Sequence, residues 1–355
     1  MNYLVYLHSL GFSHKQLHKI FKDNRDYKYF FESLSFELLS SFSFKESFIL
    51  KVLENKKVLN TKKIDEIIKK LDIKIITFYD ESYINDLKNI SNPPFLIYLR
   101  GEINKNDNFF SVVGSRKISQ YTKKTANIII PKLTKYFTIV SGGAGGCDTI
   151  AHKIALENNF KTIVVFGTGI DITYPSSNKK LFDDILKSGG GLISIFPLET
   201  KGSIYTFPIR NEIVAGIGKG LLVLEAGEKS GTLITAKLAL DQGKDVFAIP
   251  GDILSSNYIG SNNLIKNSEA KLISSSDDIL NDYGYNIGET IKKEISFGNM
   301  IQKEIYELLK YNLSLSVDDF LQKTNFSYGE LGLNLSLMEI NQIIKKNLFG
   351  KYELV

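Results

Sequence analysis

Ile139-Val140-Ser141-Gly142-Gly143-Ala144-Gly145-Gly146 is a short apolar run that ends in a loop of glycines, and three further stretches repeat the form. Val112-Val113 leads to Gly114-Ser115-Arg116, and Val164-Val165-Phe166 leads to Gly167-Thr168-Gly169. Leu222-Val223-Leu224 leads to Glu225-Ala226-Gly227 and on through Lys229-Ser230-Gly231-Thr232. A helix-like stretch follows each loop, so the order is strand, loop, helix, repeated. That order predicts an α/β fold with a parallel sheet, in which ligands bind at the carboxyl ends of the strands. The glycines fall at those ends. Phe95 to Gly101, Leu192 to Ile195 and Val246 to Ile249 read as further strands, the last stopped by Pro250-Gly251.

Upstream, residues 1–72 repeat Leu4, Leu7 and Leu10, then Leu17, Ile20 and Phe21, then Phe48, Ile49, Val52 and Leu53 at helical spacing, which predicts a small helical domain. The sheet domain then covers 73–282, and the polar, glycine-containing stretch 283–298 reads as a linker. In 299–355 helical spacing returns at Ile301, Ile305, Leu308 and Leu309, and a second helix covers Val317 to Gln322. Ser327-Tyr328-Gly329-Glu330 has the form of a capping box opening a third helix, and Lys351 to Leu354 is strand-like. Three helices and a terminal strand suggest a winged-helix-like domain. Such a module reads duplex DNA with cations along its third helix. From Ser327 to Met338 there is no lysine or arginine, so an interaction or dimer surface is the expectation.

The chain has 355 residues, 43% of them hydrophobic and 23% charged, the balance of a soluble globular protein with more than one domain. Met1 to Gly11 lack a basic leader region, and no apolar run approaches the ~18 residues of a membrane span, which predicts a cytoplasmic protein. The single cysteine, Cys147, excludes an internal disulfide and a cysteine-rich zinc site, and neither metal nor cofactor is expected. A net charge of +5 leans mildly toward polyanions. Only Arg25, Arg100, Arg116 and Arg210 are arginines, among 44 basic residues, and Arg116 stands in the first glycine loop and Arg210 in Phe207-Pro208-Ile209-Arg210-Asn211. A planar bidentate donor stands where phosphate could be gripped.

Backbone N–H groups at a helix N-terminus attract anions, and glycine lets a phosphate approach closely. Lys229, the hydroxyls of Ser230 and Thr232, and free amides near Gly231 would converge on one anion; a helix cap that binds nothing is the alternative. Familiar fingerprints fail. The G-x-G-x-x-G begun by Gly143 ends at Asp148, the one begun by Gly167 ends at Ile172, and Gly227 to Thr232 lacks the Gly-Lys-Ser/Thr of a P-loop. Cys147 and His152 invite a catalytic reading, but five residues along a helix separate them by about 140°, and a buried neutral thiol is the expectation. Several phosphate-sized pockets along one sheet edge suit a single nucleic-acid strand, with Tyr174, Tyr205 and Phe207 available for base stacking or for the core.

Taken together and in order, these motifs resemble the DNA-processing protein A (DprA/Smf) family over about residues 90–280. They are Pro93-Pro94 to Gly101, Val113 to Arg116, Ser141 to Ala144 with Asp148 to His152, Gly167 to Asp171 with Tyr174-Pro175, Phe207-Pro208 with Arg210-Asn211, Ser230 to Ala236, and Val246 to Gly251 with Gly260-Ser261-Asn262. The resemblance implies an extended Rossmann-like domain, a SAM or helix-hairpin-helix-like N-terminal domain and a winged-helix-like tail. It implies a homodimer without turnover that binds single-stranded DNA, protects it and loads the recombinase RecA onto it in natural transformation. By position, the DNA and phosphate site would be Gly114, Ser115, Arg116, Ser141, Gly142, Gly143, Gly145, Gly146, Gly167, Gly169, Arg210, Asn211, Lys229, Ser230, Gly231 and Thr232. The family usually has a basic or polar residue at Gly145, an aliphatic at Cys147, and often a second arginine at Ile209, so phosphate grip should be weaker here unless Lys229 compensates.

The rival is an enzyme like the Rossmann-like nucleoside monophosphate phosphoribohydrolases, whose Gly-Gly-x-Gly-Thr loop is followed by glutamates. After Thr232 no carboxylate follows until Asp241, so the general acid or base is missing. A sensor of a nucleotide-derived ligand is the third reading.

Overall fold

The computed structural model describes residues 2–285, 297–312, 314–347 and 350–354. Nine strands form one sheet: β1 (Lys74–Thr77), β2 (Leu96–Gly101), β3 (Phe109–Val113), β4 (Thr138–Ser141), β5 (Thr162–Val165), β6 (Gly191–Ser194), β7 (Gly220–Val223), β8 (Asp245–Ala248) and β9 (Lys271–Leu272). Their order is β1-β2-β6-β5-β4-β3-β7-β8-β9. From β6 across to β9 every pairing is parallel. The chain steps outward from β3 through β4 and β5 to β6, then returns to lay β7 on the other side of β3. The strand order therefore reverses at β3, where an α/β sheet opens a crevice.

The two strands before β3 depart from the all-parallel expectation. β1 pairs antiparallel with β2, and β2 antiparallel with β6. The segment between β1 and β2 holds the 3-10 turn Asn85–Lys88 and no α-helix of the kind that usually makes a parallel crossover. β9 is a strand that hydropathy alone does not announce, because it has two residues, both exposed.

Central strands are buried on both faces, which is why they read as continuous apolar runs. Six helices precede the sheet: Asn2–Ser9, His14–Ile20, Tyr27–Glu32, Phe36–Ser41, Glu46–Val58 and Thr61–Lys70. Their core is continuous with that of the sheet, since Leu7, Phe12 and Phe21 join one apolar cluster with Phe95, Tyr98, Phe166 and Phe182. Residues 1–285 accordingly form one compact unit and 286–355 a second. The sheet unit extends into the segment expected to be linker: Tyr283 and Tyr285 both pack on Phe137, while 286–296 lie outside the described residues.

The C-terminal unit has helices Met300–Tyr311, Val317–Lys323 and Tyr328–Ile340, then the antiparallel pair β10 (Ile344–Lys346) and β11 (Tyr352–Leu354). Ser327 and Glu330 close the capping box read from the sequence. Ile305, Phe320, Leu331, Leu335 and Met338 form its core. Among the described residues no helix is long and apolar enough to cross a membrane.

Histidines fasten the first helices to the sheet. His14 accepts the N–H of Phe95 on Nδ1 (3.1 Å) and donates from Nε2 to the carbonyl of Ile195 (2.8 Å), so both nitrogens are satisfied only in the neutral ring. Burial pushes its pKa down to about 4, against the opposing pull of the Ile195 carbonyl and with help from His18. The unfolded chain binds this proton near pH 6.5 and the folded chain does not, so stability is full above that pH and lost as pH falls toward 4. Thermal unfolding followed by circular dichroism should show a loss of about 1 to 3 kcal/mol across that window, and a shallower slope in His14→Gln.

Candidate nucleic-acid interface

The loops after β3, β4, β5 and β7 meet at the point of strand reversal. Two of their glycines are required by geometry. A Cβ at Gly142 would fall on the guanidinium of Arg210, and Gly146 (φ 79°, ψ −124°) has a backbone shape that side chains avoid, with Ser115 O filling the space a Cβ would take. Gly146 opens the helix Cys147–Glu157, whose first amide bonds back to Ser115 O (3.0 Å). The first and second loops are thus locked together.

Two adjoining hollows result. One, of ≈ 240 Å³, is lined by Gly114, Arg116, Gly142, Asp148, Phe207, Arg210 and Asn211, and by Ser230, Gly231, Thr232 and Thr235. The other, of ≈ 220 Å³, is lined by Arg116, Gly142, Ala144, Gly145, Gly167, Tyr174, Pro175, Ser177, Phe207 and Arg210. Arg116, Gly142, Ala144, Phe207 and Arg210 belong to both, so the hollows form one groove along the sheet edge.

The two arginines differ in kind. Arg116 is exposed and has no ion-pair partner among the described residues; its guanidinium lies 5.7 Å from the centre of the Phe207 ring. Arg210 lies 5.9 Å from the same ring but is only 6% exposed. Its Nη1 donates to the carbonyls of Gly142 and of Val165 (2.9 Å), and its Nε to Asn211 Oδ1 (3.0 Å). Burial lowers its pKa and the charge of Asp148 raises it. Burial likewise raises the pKa of Asp148, which Arg210 opposes, while Asp148 Oδ2 accepts the N–H of Ala144 (3.1 Å). A guanidinium stays charged even so, and the second loop is held by Arg210 at the Gly142 carbonyl and by Asp148 at the Ala144 amide. Tyr174, half-exposed, tilts against Phe207 with ring centres 5.5 Å apart, and Tyr205 is fully in solvent.

Other expected site residues stand elsewhere. Ser141 is fully buried and donates its hydroxyl to Val112 O (2.6 Å), so it faces the sheet. Gly143 lies against Val164 and Phe182, and Gly169 against Pro197 and Glu199. Ser115 and Gly146 shape the loops by their backbone without lining a hollow. Lys229 is exposed beyond the groove, and the Ser230 hydroxyl caps its own helix at Thr232 N (3.2 Å). Cys147 is buried; burial first, then the charges of Asp148 and Glu225, push its thiol pKa up. His152 is pushed down to about 3 by burial and Arg210, and bonds Thr162 Oγ1 (2.8 Å) through Nδ1. Sequence reading missed Asp148 as a groove residue; its one signal was a carboxylate at the start of a helix, next to a glycine loop.

A family model described as DNA recombination-mediator protein A matches residues 74–284, the sheet and all four loops. The chain belongs to this family. It is 41% identical over 207 residues to the DNA processing protein DprA of Streptococcus pneumoniae, covering 58% of this chain and 73% of that protein. It is 39% identical over 202 residues to the protein Smf of Escherichia coli, covering 56% of this chain and 54% of Smf. The X-ray structure of the S. pneumoniae protein superposes with a TM-score of 0.69 at 32% identity, over 79% of this chain and 98% of that one. A structure of the Helicobacter pylori family member, which addresses that protein's single-stranded DNA binding mode, superposes with a TM-score of 0.54 at 25% identity, over 60% and 96%.

Loop geometry can be tested apart from any ligand. Gly146→Ala should cost about 1 to 3 kcal/mol in urea unfolding, because the backbone shape is strained for alanine. Gly145→Ala should stay within about 0.5 kcal/mol, because the nearest atom to its new Cβ, Arg116 O, is 3.8 Å away.

Proposed function

We propose that this chain is a non-enzymatic, cytoplasmic mediator that binds and protects single-stranded DNA and loads a RecA-type recombinase onto it in natural transformation, working as a homodimer. The observation that carries the DNA reading is the groove itself: two adjoining hollows with the guanidiniums of Arg116 and Arg210 both beside the ring of Phe207. Phosphates placed in successive hollows would meet cations and helix amides, and a base stacked on Phe207 or Tyr174 would add about 1 to 3 kcal/mol without sequence preference. Family membership and the single-stranded DNA binding mode of the H. pylori relative support the same reading.

Absence of turnover is supported by the carboxylates near the groove. Among the described residues Asp148 is the one acidic side chain lining either hollow, and the Ala144 amide already bonds one of its oxygens while the charge of Arg210 acts on it. Among the described residues no second carboxylate lines the hollows to serve as a general base. Incubation with AMP should release no adenine; sustained release would favour the phosphoribohydrolase reading. In the C-terminal unit, which we read as a winged-helix-like module, Leu333 (63% exposed) and Ile340 (76%) present an apolar stripe, better suited to a protein surface than to phosphates.

Binding to labelled oligo-dT, followed by fluorescence anisotropy, should weaken steeply with salt. Arg116→Ala should reduce the slope of log affinity against log salt by about 0.7, the value of one single-strand phosphate contact. Gly145→Lys adds a cation at an open rim of the groove and should steepen the slope by about the same amount. Salt-insensitive binding, or none, would refute the reading. Arg210→Ala is a poorer probe, because it also leaves buried carbonyls unpaired.

A further inference from the structure

Arg116 sits on the loop between β3 and the helix Gln120–Leu133, and a single residue outside that loop grips both of its ends. The backbone carbonyl of Glu225, just past β7, accepts the N–H of Ser115 (2.9 Å). The side-chain Oε2 of the same Glu225 accepts the N–H of Ser119 (3.0 Å). Between these points Arg116, Lys117 and Ile118 make no backbone hydrogen bond among the described residues. The span that carries the groove's exposed arginine is therefore held at its two ends: Glu225 bonds both end amides, while Cys147 also bonds the Ser115 carbonyl and Thr122 and Tyr258 the Ser119 hydroxyl.

A buried carboxylate is costly unless donors hold it. Glu225 is fully buried, and Oε2 also accepts from the hydroxyls of Thr122 (2.7 Å) and Tyr258 (3.3 Å). It lies at the N-terminus of the helix Gln120–Leu133, where the helix dipole favours a negative charge. Oε1 is buried with no partner among the described residues, so packing alone does not account for a carboxylate here. An apolar side chain would fill the space but leave the Ser119 amide without its acceptor, although the Ser119 hydroxyl stays bonded to Thr122 and Tyr258.

We propose that Glu225 is a positioning residue for DNA binding: its carbonyl and carboxylate hold the Ser115–Ser119 span in the shape that keeps Arg116 beside Phe207 before DNA arrives. The inference rests on the single-stranded DNA reading above. A cation fixed in advance spares the complex the cost of ordering it, which is the general basis of preorganised affinity.

The full chain contains no tryptophan, so Lys117→Trp places a lone reporter within the span. Adding Glu225→Ala should lower the reporter's fluorescence anisotropy, and Glu225→Gln, which keeps an acceptor for Ser119, should restore it. In the chain without the reporter, Glu225→Ala should weaken oligo-dT binding about tenfold, Glu225→Gln should recover most of that loss, and Glu225→Ala should have no further effect once Arg116→Ala is present. An unchanged reporter, or an equal loss with and without Arg116, would overturn the proposal. If Glu225→Ala does not fold, hydrogen exchange on the unsubstituted chain decides: the Ser115 and Ser119 amides should exchange more slowly than those of Arg116 and Lys117, and equal rates would overturn it. If the unsubstituted chain does not bind oligo-dT, the DNA reading fails, while the reporter and exchange measurements still report on the clamp.

Discussion

The guanidinium of Arg210, buried under the carboxyl edge of the sheet, is the interaction on which the groove depends. It reaches from the helix Thr206–Ile217 to the carbonyls of Gly142, after β4, and Val165, at the end of β5. Three elements distant in sequence are thereby fixed to one charged group that cannot give up its proton. Asp148, on the helix that follows the glycine loop, carries the opposite charge and accepts the Ala144 amide, so the loop after β4 is held by Arg210 at Gly142 and by Asp148 at Ala144. Gly142 has no side chain because the arginine occupies that space.

That constraint separates two jobs which the sequence presents as one. Arg116 and Arg210 both stand in loops where phosphate could sit, but only Arg116 is exposed, and the burial of Arg210 makes it the floor of the groove as much as a ligand to it. Phe207 lies between them and joins the two hollows. Glu225, just past β7, ties the Arg116 loop to that strand through the amides of Ser115 and Ser119.

Much of the fold was legible because central parallel strands are buried on both faces and appear as apolar runs, each cut off by glycine. The α/β architecture and the positions of β3, β4, β5 and β7 follow from that pattern. The antiparallel β1 and β2 were hidden, since an apolar run does not show strand direction, and β9 is too short for any periodicity. At the site, the glycine loops read from the sequence are the ones that meet beside the two hollows, but a one-dimensional pattern cannot show which way a side chain turns. Ser141 follows β4 in the same motif as Gly142, yet its hydroxyl is spent inside the sheet. Lys229 precedes Ser230 and Thr232 but stands in solvent beyond them. Asp148 stands next to the glycine loop in sequence, but its place in the groove's lining depends on the fold that sets it near Arg210.

Ligand length distinguishes a row of hollows along a sheet edge from one deep cofactor cleft. Affinity should be measured for a thymidine series from the mononucleotide to an oligomer of about ten at fixed salt. The structure predicts a steep rise over the first few nucleotides, as the second hollow fills and Phe207 and Tyr174 each gain a base to stack on, followed by a plateau. A mononucleotide that binds as tightly as the oligomers would contradict the account and identify the groove as a site for a small nucleotide ligand.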